Sequence, residues 1–236
     1  MALPKIATPK FFATVPSTKK KISFRPFIVK EEKVLLLASE SNDEEQMIVT
    51  IRDILNSCVL EDGFDANVIP YFDFEYLFLN VRAKSIGEKI QLEYRHRGGV
   101  NYKDEKCDVV TPVEIDVESI QVKSEDSHTN KIMLTDTLGI QMRYPTIEDM
   151  KKLTKTKDDL TLVANCIDFA FDGDTIHETE SEKDSIEFLE SLSSKQFEKI
   201  MQFFNTMPKL KHEISYKCKG CGQDDNVTLE GIADFF

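Results

Sequence analysis

The sequence predicts an α+β protein in which antiparallel β-hairpins and helices occupy separate stretches of chain. Three observations carry this. Alternating apolar and polar residues flank turn-type clusters at 11–27, 88–122, 131–145 and 208–236. Between these lie longer runs with apolar residues every three or four positions. No regular strand–helix alternation appears, so a parallel sheet with crossover helices is not expected.

The first hairpin is read in FFATVPSTKKKISFRPF, whose arms alternate on either side of Pro16, Ser17 and Thr18. Pro26 precedes a helix at about 29–40, and Asn42 or Asp43 is placed to cap the next, DEEQMIVTIRDILNSCV. Residues 68–87 hold Tyr71, Phe72, Phe74, Tyr76 and Phe78 between Pro70 and Gly87. That is too much aromatic surface for one stripe, so it predicts a buried central helix or an exposed interface. EKIQLEY and VVTPVEIDVESIQV then predict two strands, with Pro112 confining the second to an edge or a bulge. KIMLTDTLGIQMRYP predicts another hairpin. TIEDMKKL, DDLTLVANCIDFAF, SEKDSIEFLESL and SSKQFEKIMQFFNTM predict helices, with an exposed acidic loop at 172–182. The expected units are 1–87, a hairpin plus three helices; 88–145, a hairpin module; 146–207, helical; and 208–236, a zinc-ribbon-like knuckle hairpin packed on 88–122.

Composition narrows function. The 236 residues carry a net charge of −12, which argues against nucleic acid as partner. Residues 1–33 hold eight Lys or Arg against two Glu, so a basic arm precedes a body of net −18. No apolar run approaches the ~18 residues of a membrane span, and MALPKIATPK lacks a signal-peptide core. Stable membrane association is not expected, and synthesis in the cytoplasm is. Of the five cysteines, Cys58 and Cys166 sit in apolar patterns and read as core.

Cys218 and Cys221, in YKCKGCGQDD, carry the strongest chemical signal. Cys-x-x-Cys in a glycine-relieved turn is half of a tetrahedral zinc site. The module at 89–120 shares a scheme with 211–232: a strand ending in Tyr, a polar knuckle, and a return strand closing in Glu and Ile. That echo nominates His96 and Cys107 as the other two ligands. A structural zinc on His96, Cys107, Cys218 and Cys221 is the cofactor the sequence admits; the alternative is a knuckle turn without metal. A redox pair fits less well, because no helix follows the cysteines and their acidic surroundings are expected to raise a thiol pKa. No phosphate-cradling loop, serine elbow or His-Glu-x-x-His is present. The residues predict a protein that binds proteins and is not an enzyme.

Leu3-Pro4, the turn Pro16-Ser17-Thr18, Arg25-Pro26-Phe27, residues 29–33, Leu35, Leu36, Ala38, Glu40 and Ser41 form a specific opening run. It resembles the start of the baseplate hub assembly proteins of T-even-type contractile-tailed phages. The strand–Cys-x-x-Cys-Gly–strand module at 214–236 resembles the same family's closing module. In that family the middle hairpin also carries cysteines; here Arg95-His96 follow Tyr94 and only Cys107 is left. The resemblance implies a morphogenesis factor that binds hub and tail proteins during assembly in the host cytoplasm, or a minor baseplate subunit that stays in the virion. Phe24, Arg25 and Phe27 of the arm, with Tyr71, Phe74 and Tyr76 of the aromatic helix, are the expected contact residues.

Overall fold

A computed structural model describes residues 6–41, 43–95, 107–156, 158–179 and 181–232. It is α+β, with helices and four small antiparallel sheets.

Strands β1 (Phe11–Thr14) and β2 (Lys21–Phe24) pair from Phe11↔Phe24 to Thr14↔Lys21. Val15 closes the turn, its carbonyl accepting from Lys19 N–H and its N–H donating to Lys20. Beyond β2, Arg25 N–H donates to the Cys58 carbonyl, and Leu60 N–H to that of Ser23, so the hairpin is sewn to the end of the second helix. Helix α1 (Val29–Glu40) starts where the Glu31 carboxylate accepts the Ile28 N–H at 2.8 Å. Helix α2 (Glu44–Cys58) is capped by Asp43, which accepts from Gln46 N–H, and buries Ile51, Ile54, Leu55 and Cys58 at helical spacing.

Helix α3 (Tyr71–Ile86) runs from Pro70 to Gly87, whose φ of 126° no other residue adopts easily. Nine of its sixteen residues are buried, which makes it the central helix. Phe74, Leu77, Phe78 and Val81 face the core shared with the hairpin and α2. Leu79 and Ala83 face the core of the C-terminal strands. Phe72 meets Tyr144 edge-on at 5.0 Å. Two buried acids of α3 also hold the turn of the first hairpin and the last described residue. Asp73 accepts both the N–H and the hydroxyl of Ser17, from the first turn, and Glu75 accepts the Ile232 N–H at 2.9 Å. Burial, the largest influence on each, raises both carboxyls, Glu75 to about 7.

Strands β3 (Lys89–Arg95) and β4 (Val110–Asp116) pair throughout, with Pro112 opposite Glu93 in this two-stranded sheet. A single 3₁₀ turn leads to β5 (Gln121–Lys123), which lies on β10 (Lys209–Lys217), itself paired with β11 (Asp224–Glu230). The C-terminal hairpin thus packs on the 88–122 segment.

One expectation fails. The helix read over DDLTLVANCIDFAF stops at Asn165: α5 is Asp159–Asn165, and Ile167–Asp172 is strand β8. The expected loop at 172–182 contains β9 (Thr175–Glu178). With β6 (Lys131–Met133) and β7 (Leu138–Met142) they form a sheet of order β6-β7-β8-β9, which runs across residue 145. The reason is local: Ile167, Phe169 and Phe171 alternate with Asp168, Ala170 and Asp172, and Gly173-Asp174 is a two-residue hairpin turn with Gly173 at φ 57°. Gly139 of β7 lies beneath Phe171, where a Cβ would come within 2.3 Å of the ring. Helix α5, α6 (Glu182–Glu190) and α7 (Ser194–Thr206) share a core with this sheet, around Ile140, Val163, Leu189, Ile200 and Phe203. Helix α4 (Ile147–Thr156) joins the N-terminal core through Ile147.

Candidate metal centre

Strand β10 ends at Lys217, and the chain reverses through Cys218-Lys219-Gly220-Cys221-Gly222. Cys218 N–H donates to the Gln223 carbonyl and Gly222 N–H to that of Cys218, each at 2.9 Å. Gly222 takes φ 72°, which keeps the knuckle tight. Gly220 has a different role. A Cβ there would stand 2.5 Å from the Val109 side chain and 3.1 Å from Cys107 Sγ, so only glycine lets the knuckle lie on the segment before β4.

That approach brings Cys107 to the pair across 111 residues, Sγ to Sγ 3.5 Å from Cys218. The sulfurs of Cys107, Cys218 and Cys221 all lie within 4.8 Å of one another. Four thiolates at the usual Zn–S length of ~2.3 Å would stand about 3.8 Å apart, so this spacing and three soft donors fit zinc. Cys107 and Cys218 are buried and Cys221 is half-buried. Two further contacts hold the modules together: Lys219 N–H donates to Thr111 Oγ1 at 3.1 Å, and the Tyr94 and Tyr216 rings stack at 5.6 Å.

The electrostatics correct a second expectation. The acidic neighbourhood was expected to raise the thiols, but Cys218 is lowered to about 6, first by the Cys221 N–H, with the Gly220 N–H and the other two thiols helping. At Cys107 the Val109 N–H pulls down, but burial and the hydrogen bonds with the partner thiols outweigh it, and the thiol is raised. A knuckle whose amides hold one sulfur as thiolate is prepared for a metal, which binds thiolate and not thiol. It does not make a thioredoxin-like site: β11 follows the pair instead of a helix, and Cys218 is only 2 % exposed.

His96 lies outside the described residues. Among those described, then, the structure brings together three of the four expected ligands. Cys58 and Cys166 are fully buried, and burial pushes each thiol up to about 12, as inert core cysteines require. The expected contact residues have varied settings. Phe24, Phe27 and Phe74 are buried together in the N-terminal core, at 1 %, 7 % and 0 % exposure, and Tyr71 and Tyr76 pack half-buried against it. Arg25 forks onto Glu31 at 2.9 and 2.7 Å. Reading the sequence alone gave the glycines of the knuckle a role in tightening the turn, and missed both the close approach of Gly220 to Val109 and Cys107 and the part played by Thr111.

No curated protein and no solved structure matches the chain. A family model described as T4 bacteriophage base plate protein matches residues 8–236, so every element above falls within it. The chain belongs to the family of T4-like bacteriophage baseplate proteins.

Proposed function

We propose that this chain is a non-enzymatic tail morphogenesis factor that binds hub subunits and promotes assembly of the central baseplate hub in the host cytoplasm. The observation that supports it is the setting of the sulfur cluster in a chain of this family. Two of the three thiols lie buried and Cys221 half-buried between two hairpins, where they can clip the fold. In this reading Cys107, Cys218 and Cys221 hold a structural zinc, His96 is its candidate fourth ligand, and the metal supplies a cross-link and no reaction.

A second reading, a permanent minor subunit of the baseplate, is favoured by the family description, which names a base plate protein. Mass spectrometry of purified particles separates the two. Absence from finished particles, with hub assembly failing when the chain is withheld, is the result expected of an assembly factor. Stoichiometric presence would make it a structural subunit. Complete hubs formed without the chain would overturn both.

A further inference from the structure

Half of the exposed large apolar side chains among the described residues, seven of fourteen, lie in residues 6–37. Four belong to α1. Val29, Val34, Leu36 and Leu37 are 66, 48, 56 and 66 % exposed, while Leu35 and Ala38 alone are buried. At 100° per residue Val29, Lys33, Leu36, Leu37 and Glu40 share an arc of about 100°, with Lys30 and Val34 beside it and the buried pair opposite. A helix seated only on its own core would carry polar residues there. The Arg25–Glu31 fork and the Ile28 cap fix the helix start, so this face is held in place by the fold. Nearby in sequence, Phe12 is 56 % exposed with Lys21 Nζ 4.6 Å from its ring centre.

We infer that the outward face of α1 docks an apolar patch rimmed by carboxylates on another baseplate protein. This rests on the assembly reading above and names its contact surface. Charge selects the occupant. Lys30 edges the apolar arc and Lys33 stands within it, with Glu40 at its C-terminal end, and residues 1–33 are net +6 on a body of net −18. That body would be repelled by an anionic membrane or by nucleic acid, and two copies of net −12 repel each other as wholes. A protein whose acid is confined to the docking rim meets the lysines and lets the leucines bury.

The test uses the full chain in infected cells, with a photo-crosslinking phenylalanine in place of Leu37 and a control at Ile176. The expected product at Leu37, absent from the control, is a phage tail or baseplate peptide with Asp or Glu flanking apolar residues. A lipid adduct, a peptide of this chain or of a host protein, or the same product from both positions overturns the inference. In parallel, L36S/L37S and K30E/K33E chains, each checked for an unchanged melting temperature, complement a phage that lacks the chain. Particle yield is expected to drop at least tenfold in both. Wild-type yields would refute the docking face while leaving the assembly reading intact; a phage that builds hubs with no chain at all would remove that reading instead.

Discussion

The two ends of this protein are hairpins anchored on the same helix, yet their side chains are arranged in opposite ways. At the C-terminal end the chemistry turns toward the neighbouring module: the thiols meet Cys107, the Tyr216 ring stacks on Tyr94, and the Lys219 amide reaches Thr111. At the N-terminal end Phe24 and Phe27 turn inward, but Phe12 and four apolar side chains of α1 stand in water. The difference teaches that chemical character does not locate function. Cysteines in a tight knuckle can be purely architectural, and plain leucines on an over-apolar helix can be the working surface.

The contrast can be broken most forcefully at the cysteine cluster and in the cores. Phe24→Ala or Phe74→Ala should each cost about 3–5 kcal/mol in urea unfolding, because each empties a fully packed site in the N-terminal core. Free zinc held 1,000-fold above its dissociation constant should stabilise the chain by about 4 kcal/mol, read as a chelator-reversible rise in melting temperature. Cys218→Ser should abolish most of that response; a full response in the variant would remove the cysteine from the centre.

Finer effects test how the ends are tied to α3. Glu75 is raised to about 7 by burial, so the folded state holds its proton more tightly than the unfolded chain. Its contribution therefore falls as pH climbs from the unfolded value of about 4.3 towards 7, and Glu75→Gln should flatten that part of the stability profile. Glu31 has the opposite sign. The Arg25 fork lowers its pKa, so its stabilisation, on the order of 1 kcal/mol, is present above the unfolded value and lost as pH falls through the folded one. Arg25→Ala should reduce that acid-side loss to the part that the Ile28 N–H supplies. The smallest effect belongs to Leu36→Ser, expected to stay within about 0.5 kcal/mol of wild type because the side chain is exposed.

Much of the fold was legible because its signals are local. The Pro-Ser-Thr turn, the Asp43 cap, the Pro70 and Gly87 limits of α3 and the period-2 strands each declare themselves within a few residues. The β8–β9 hairpin was missed because CIDFAF continues an apolar run out of a helix, where length misleads; the Gly173-Asp174 turn was the better guide. Cys107 was found through the echo between two hairpins, a tertiary hint that spacing alone would not give. The lowered Cys218 pKa was not legible, since it depends on the direction of two amides and not on net charge. The orientation of Phe24, Phe27 and Phe74 was equally hidden: aromatic content says that surface must be covered, not which neighbour covers it.

The central claim is that one end folds the protein and the other binds. It is tested most directly by measuring the affinity for co-expressed hub subunits beside the melting temperature, for L36S/L37S and for Cys218→Ser. The account predicts at least a tenfold weaker complex with unchanged melting for the first, and lower melting with unchanged affinity for the second, measured where both are folded. Binding lost in Cys218→Ser but kept in L36S/L37S would contradict it.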